Sequence, residues 1–171
     1  QRKKALSAVG MSTYTAKCLE AARLFYTILQ SMEDRPDQPI INDAKLQDYG
    51  IQSFPGMCIQ GPVAALEAKP GDTLDLVIVY KLNPHATRKN YRYIDQLMNI
   101  IAHYVSYRIH RKEGVDIKIN IHLMEETAFN KTKDAIYKKA YGKELLHNAM
   151  PLYPGKDFYY LLYLKGGEKY F

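Results

Sequence analysis

The residue that most needs a chemical explanation in this sequence is Asp75, which stands in the apolar run Leu74 to Tyr80. Successive side chains of a β-strand point to opposite faces, so Asp75 is expected to share one face with Val77 and Val79. An ionised carboxylate on an apolar face costs several kcal/mol unless it is paired, hydrogen-bonded or bound to a cation. Asp75 is therefore expected to have an ion-pair partner, a hydrogen bond or a bound cation.

A second carboxylate, Asp116, stands in a predicted strand from Val115 to Leu123, where apolar and polar residues alternate strictly. Its polar side carries Asp116, Lys118, Asn120 and His122. A long predicted helix, 88–111, joins it to the predicted strand 74–82 as a strand, crossover, strand unit. If the two strands are neighbours, Asp75 and Asp116 can lie near one another on the same face. An exposed face with ordinary polar residues is the alternative.

The stretch 61–80 resembles the signature of the nucleotidyltransferases of the polymerase-beta superfamily. In that family a strand ends in Gly-Ser, a short helical turn follows, and Asp-x-Asp stands on the next strand before an apolar run. Gly61 matches the glycine, Asp75 matches the second aspartate, and Leu76 to Val79 matches the apolar run. The resemblance covers residues 57–123 and implies a nucleotidyltransferase-like core there.

Two positions depart from that signature. Pro62 stands where the family has a serine that contacts a nucleotide phosphate, and Thr73 stands where it has the first metal-binding aspartate. The resemblance implies that Asp75 and Asp116 act as catalytic carboxylates that bind Mg²⁺, with Gly61 and Thr73 beside the nucleotide. Because one charged ligand and one phosphate donor are missing, the resemblance also implies that catalysis is weakened or lost.

Basic residues on the long helix and on the strand after it are candidates for phosphate contacts. They are Arg88, Lys89, Arg92 and Lys118. A net charge of +6 favours polyanionic partners, although many basic proteins bind no nucleic acid. A solvated charged helix face is the alternative, and the lysines between 131 and 143, on a further predicted helix, leave the same choice.

The predicted elements form an α+β fold, with one mixed sheet and amphipathic helices packed mainly on one face. The predicted helices cover Ser12 or Thr13 to Glu33, 88–111 and the segment after 127, with a short helix or turn at 43–49. The predicted strands cover Met57–Gln60, Leu74–Leu82, Val115–Leu123 and the tyrosine-rich segment 158–164.

Length and composition predict a single domain over residues 1–171, which begins with a flexible basic arm at 1–11. Cys18 and Cys58 have no metal-ligand spacing and are expected to be buried thiols of a reducing compartment. No apolar run approaches the ~18 residues of a membrane span, and no signal-peptide pattern is visible. The sequence therefore predicts a cytoplasmic protein without a membrane partner.

Two functions stay open at this point. One is a nucleotidyltransferase-like domain that binds a nucleotide or nucleic acid, with Mg²⁺ if it is catalytic. The other is a non-enzymatic assembly protein, such as a phage or plasmid structural component, whose basic helices and tyrosine-rich strand contact a protein partner or form a homo-oligomer. The fifteen tyrosines fit both, since aromatic rings stack on bases and are enriched in interfaces. The separation of Asp75 and Asp116 distinguishes them.

Overall fold

A computed structural model describes residues 12–39 and 45–127 and the backbone of residues 150 and 151. The helices are α1 (Thr13–Asp34), α2 (Gly61–Ala64) and α3 (Arg88–Glu113), with a single 3-10 turn at Leu46–Tyr49. The strands are β1 (Ile51–Gln60), β2 (Leu74–Leu82), β3 (Ile119–Glu125) and the two-residue β4 (Met150–Pro151). The predicted arm at 1–11, the helix after 127 and the strand at 158–164 lie outside the described residues.

The strands form one mixed sheet in the order β3-β2-β1-β4, which confirms the predicted α+β class with a mixed sheet. Strand β1 runs antiparallel to β2, and β2 runs parallel to β3. The parallel pair needs a crossover, and α3 provides it, as the sequence predicts. Strand β2 therefore lies between the other two long strands. Most of its side chains are buried, on both faces of the sheet.

The helices α1 and α3 pack their apolar sides on the same face of the sheet. Phe25 of α1 and Leu97 of α3 belong to one buried cluster with Leu76 of β2. The predicted apolar stripe of α3 is confirmed, because all its members are at most 2% exposed: Ile94, Leu97, Met98, Ile101, Val105 and Ile109. The core thus lies between the sheet and these two helices.

Polar contacts set the ends of the two long helices and join them. The Ser12 side chain accepts a hydrogen bond from the Thr15 backbone N–H at 3.1 Å, so Ser12 is the N-cap of α1, as predicted. Helix α3 ends at Gly114, which has φ +67°. Between the helices, Lys17 lies 2.9 Å from Glu113. None of the described helices is both long and apolar enough to cross a lipid bilayer.

Strand β1 covers Ile51–Gln60, so the predicted start of this strand at Met57 is wrong. The antiparallel ladder with β2 continues back to Ile51 through two register shifts, one of which lies between Ser53 and Gly56. A bulge of this kind accommodates Pro55, which has no N–H to give to a ladder. The Phe54 N–H instead donates to the Glu33 carboxylate of α1.

Strand β3 begins at Ile119, so its predicted start at Val115 is wrong. The physical reason is that β2, its neighbour, begins only at Leu74, which lies opposite Ile119. Residues before Ile119 keep the alternation of burial but have no strand to pair with. Ile117 is buried, and its carbonyl accepts a hydrogen bond from Ser106 Oγ of α3 at 2.8 Å.

Candidate functional site

Gly61 and Asp75 lie in direct contact where β1 passes into α2. The antiparallel register places Gln60 opposite Asp75, and Gly61 then has φ +70°. A β-carbon on residue 61 would stand 2.8 Å from Asp75 Oδ2, too close for any real side chain. The backbone conformation therefore favours glycine at this position, and a side chain there would force the Asp75 carboxylate to move.

The carboxylate of Asp75 is held by a hydrogen bond within its own strand segment. Thr73 Oγ1 donates to Asp75 Oδ1 at 3.0 Å, and both residues are half-buried. This bond offsets part of the cost of a carboxylate on a strand face whose next members, Val77 and Val79, are buried. The second oxygen, Oδ2, is the one that faces Gly61.

The polar side chains around Asp75 form what we call the Asp75 patch. Its members are Gln60, Thr73, Asp75, Lys118, Asn120 and His122. The parallel register places Asn120 beside Asp75, and His122 beside Val77. Lys118 stands two residues before Asn120, just ahead of β3, and is exposed. Its carbonyl accepts from the Leu74 N–H at 2.9 Å, and the residue also lines a cavity on the helix side of the sheet. The register thus places Asn120 and His122 along the part of β3 that adjoins Asp75 and Val77.

The structure does not bring Asp116 to Asp75. Asp116 precedes Asn120 by four residues, which corresponds to about 13 Å along a strand. Its side chain is 90% exposed, and its Oδ1 lies 2.6 Å from Nδ1 of His110 at the end of α3. Asn120 occupies the position beside Asp75 that was expected for Asp116.

The sequence signal that selects Asn120 is weak. In the structure Asp116 and Lys118 precede β3 and line a cavity on the helix side of the sheet. Alternation alone predicts one common face for Asp116, Lys118 and Asn120. It does not decide the register, because a shift by two residues keeps every side chain on its face. The structure pairs Leu74 with Ile119 and therefore Asp75 with Asn120.

The basic residues at the start of α3 lie far from Asp75. Helix α3 follows the carboxyl end of β2, and Asp75 is seven residues from Leu82, about 23 Å along the strand. Lys89 and Arg92 are exposed there, and Arg88 opens the helix. Among the predicted phosphate contacts, Lys118 is the one that belongs to the Asp75 patch.

The donor set of the Asp75 patch is suited to one divalent ion at most. Among residues 12–39 and 45–127, no group of three or more histidines, cysteines or acids could hold a metal. The patch itself offers the carboxylate of Asp75 and the neutral oxygens of Thr73, Gln60 and Asn120. Mg²⁺ is commonly bound by one or two carboxylates together with substrate phosphates and water. A single ion shared with a phosphate ligand fits this set, and two bridged ions do not.

A cavity of about 540 Å³ lies on the helix side of the sheet, at the start of β3. Its lining includes Asp72, His103, Ser106 and Asp116. Several of its polar groups already have partners within the protein, because Asp116 contacts His110 and Ser106 donates to the Ile117 carbonyl. These pairings engage Asp116 and Ser106, and the lining also includes the polar side chains of Asn99, His103 and Lys118.

The two cysteines are buried, as the sequence predicts, and neither is poised for nucleophilic chemistry. Burial raises the pKa of Cys58 to about 12. Burial also raises the pKa of Cys18. Since the thiolate is the reactive form, a raised pKa keeps both side chains inert near neutral pH.

Comparison of the chain with protein families, with curated proteins and with solved structures finds no match. What the chain does is therefore inferred from its own geometry.

Proposed function

We propose that this chain is a nucleotidyltransferase-like domain that binds a nucleotide at the Asp75 patch and is catalytically degenerate. The observation that carries the proposal is the contact between Gly61 and Asp75 Oδ2. The resemblance rests on a glycine at a strand end, a helical turn and an aspartate on the next strand. In this chain the glycine and the aspartate are also close to each other in space.

The order of elements after Asp75 also supports the proposal. In the family, the strand after the long helix supplies a third metal-binding carboxylate. In this chain that strand is β3, and its residue beside Asp75 is Asn120. Thr73 and Asn120 are both neutral, so the patch keeps one of three charged ligands. A two-ion mechanism needs more negative charge than this, and binding without nucleotidyl transfer is the expected result.

The patch can contribute charge of both signs to a bound nucleotide. Asp75 would hold one Mg²⁺ jointly with the phosphates, and Lys118 would offset phosphate charge directly. Asn120 and Gln60 can each donate and accept hydrogen bonds, which suits a sugar or a base edge. Because Lys118, Asn120 and His122 are exposed, the ligand would lie on the sheet face rather than in a closed cavity.

Isothermal titration calorimetry tests the proposal. Each of the four ribonucleoside triphosphates with Mg²⁺ is titrated into the wild-type chain and into Asp75→Asn. At least one should bind, and Asp75→Asn should weaken that binding about tenfold or more, because a charged ligand is lost. The matched control is Asp95→Asn, which changes an exposed carboxylate on α3 and should leave the affinity unchanged.

A lysine pair gives a second control. Lys118→Gln should weaken the binding of the triphosphate, whereas Lys81→Gln should not, because Lys81 lies on the same face at the far end of β2, about 20 Å away. Absence of binding by all four nucleotides, or equal losses in Asp75→Asn and Asp95→Asn, would overturn the proposed function.

The assembly role is the second candidate, and two observations favour it. The first is the separation of Asp116 from Asp75, and the second is the exposure of tyrosines on α3. Tyr93, Tyr104 and Tyr107 of α3 are 46%, 45% and 56% exposed, and exposed tyrosines are enriched where proteins meet. Light scattering over a range of concentrations tests it, since an assembly contact predicts a mass that rises above 19.7 kDa. A constant monomer mass would contradict it.

A further inference from the structure

One line of side chains on α3 combines exposed rings with cations. We call it the α3 stripe: Lys89, Tyr93, Ile100, Tyr104, Tyr107 and Arg111. Its three tyrosines are about half exposed, and Ile100 is 42% exposed. Together they are the exposed large hydrophobic residues of the described chain.

The spacing of these residues places them on one side of the helix. Successive members are separated by four, seven, four, three and four residues, which are the intervals of residues that line one face at 3.6 residues per turn. From Lys89 to Arg111 the stripe rises about 33 Å at 1.5 Å per residue. It therefore forms a linear surface, unlike a compact patch that would suit a small ligand.

Arginines hold two of the rings in place. Arg108 Nη1 donates to the Tyr104 hydroxyl at 2.7 Å, and its guanidinium lies 5.7 Å from that ring's centre. The guanidinium of Arg111 lies 5.8 Å from the centre of the Tyr107 ring. Both rings stay about half exposed with these arginines in contact, so ring surface is available for another planar group.

The charge on the stripe has one sign. Helix α3 contains two acids, Asp95 and Glu113. Asp95 lies about 200° around the helix from Tyr93, on the far side. Glu113 points to α1, where it pairs with Lys17 at 2.9 Å. The stripe and its neighbours Arg92 and Arg108 are thus cationic without a compensating carboxylate from α3.

This charge disfavours a second copy of the chain as the partner. Two stripes placed face to face, in either direction, would bring lysine and arginine against lysine and arginine. Like charges in contact cost free energy, and the cost rises as water is excluded. An anionic partner with planar groups along its length is complementary instead.

We propose that the α3 stripe binds a single-stranded nucleic acid, with bases stacked on Tyr93, Tyr104 and Tyr107 and phosphates contacting Lys89, Arg108 and Arg111. A single strand presents planar bases and negative phosphates along one line, as the stripe presents rings and cations. Stacking on aromatic side chains tolerates any base, so the recognition is of strand chemistry more than of sequence. A stacked strand of about ten nucleotides would span the stripe, at 3.4 Å per nucleotide.

The stripe and the Asp75 patch are separate surfaces, because α3 covers the opposite face of the sheet from Asp75. The proposal for the stripe consequently does not depend on the proposed nucleotide site. Stripe variants should leave the binding of free nucleotides unchanged, and Asp75→Asn should leave the binding of the oligonucleotide unchanged.

Fluorescence anisotropy with labelled oligothymidylate and oligouridylate of about 12 nucleotides, slightly longer than the stripe, tests the proposal. Tyr104→Ala and Tyr107→Ala should each weaken binding about fivefold or more, whereas the matching Tyr→Phe changes should stay within about twofold, because the ring remains. Arg111→Ala should reduce the salt dependence of log affinity by about 0.7, the change for one lost phosphate contact.

The matched control for charge is Arg23→Ala, which removes an exposed arginine from α1 and should leave both affinity and salt dependence near the wild-type values. Circular dichroism checks that each variant is folded. Equal affinity of wild type and Tyr104→Ala/Tyr107→Ala, or equal losses in Arg23→Ala and Arg111→Ala, would overturn the proposal. A concentration-dependent mass that Tyr104→Ala/Tyr107→Ala abolishes, without oligonucleotide binding, would assign the stripe to a second copy.

Discussion

Gly61 lies so close to Asp75 that a β-carbon on residue 61 would stand 2.8 Å from Asp75 Oδ2. The contact joins the end of β1 to the start of β2, two positions fourteen residues apart in the sequence. The absence of a side chain at residue 61 leaves room for the Asp75 carboxylate, which Thr73 Oγ1 holds at 3.0 Å. The stability of variants at residue 61 therefore reports on the position of Asp75.

Gly61→Ala should destabilise the fold more than Gly114→Ala. Both glycines have positive φ, +70° and +67°, so alanine at either position costs about 1 to 2 kcal/mol in backbone strain. A β-carbon at Gly114 meets nothing within 4 Å, whereas one at Gly61 meets Asp75. The free energies of unfolding in urea give the comparison. In the background of Asp75→Ala, the excess loss at Gly61 should disappear, and an excess that persists would contradict the contact.

Thr73→Asp should create a stronger site for divalent ions. Thr73 Oγ1 lies 3.0 Å from Asp75 Oδ1, so an aspartate at residue 73 places a second carboxylate beside the first. Without metal the two charges repel and should lower the free energy of unfolding at neutral pH, and Mn²⁺ should restore it. Calorimetric titration of Mn²⁺ measures the gain in affinity, which Asp75→Asn should abolish. Unchanged affinity for Mn²⁺ in Thr73→Asp would show that Asp75 is no metal ligand.

The sequence predicted the elements better than it predicted their register. The strict alternation from Val115 to Leu123 identified a strand and its two faces, and the stripe from Ile94 to Ile109 identified the core side of α3. The partner of Asp75 depended on where β2 begins, and alternation carries no information about a shift of two residues. Asn120 was therefore not recognised as the neighbour of Asp75.

The other differences have local physical causes. Pro55 and Gly56 are residues that usually end a strand, but in β1 Pro55 lies in a register shift and Gly56 resumes the ladder opposite Val79. The hydrogen bond from Thr73 to Asp75 could be guessed from their spacing of two residues on one face. The exposure of the α3 tyrosines could not be predicted from the sequence, because it depends on how α3 is rotated about its axis against the sheet.

Glu33 should make the stability of the fold depend on pH. Burial raises the pKa of Glu33 above its usual 4.5, even though the Phe54 N–H that donates to it lowers it. The folded state then binds the proton more tightly than the unfolded state. The stabilisation from this group is complete below about pH 4.5 and is lost as pH rises through the folded-state pKa.

Glu33→Gln removes that titration and keeps an acceptor for the Phe54 N–H. The free energy of unfolding in urea, measured for wild type and Glu33→Gln at pH 4 and pH 7, checks the effect. Relative to Glu33→Gln, the wild type should be more stable at pH 4 than at pH 7. If the free energies of unfolding of the two proteins differ by the same amount at pH 4 and at pH 7, the direction of the pKa shift is contradicted.

The two thiols should be unreactive in the folded chain. Cys58 is 4% exposed with its pKa raised to about 12, and Cys18 is fully buried. A chromogenic disulfide reagent at pH 8 should modify neither in native buffer and both in concentrated denaturant. Rapid modification of one thiol in native buffer would show that its strand or helix opens locally.

Backbone amide shifts measured by nuclear magnetic resonance while Mg²⁺ and a nucleoside triphosphate are added test the central claim most directly. If the nucleotide binds at the Asp75 patch, the largest shift changes should fall at Gln60 and Gly61, at Thr73 to Asp75, and at Lys118 to His122. Replacing Mg²⁺ by paramagnetic Mn²⁺ should broaden the same amides, with Asp75 among the strongest affected. The account would be contradicted if saturating nucleotide left the chemical shifts of these amides unchanged, or changed only those of residues on α3.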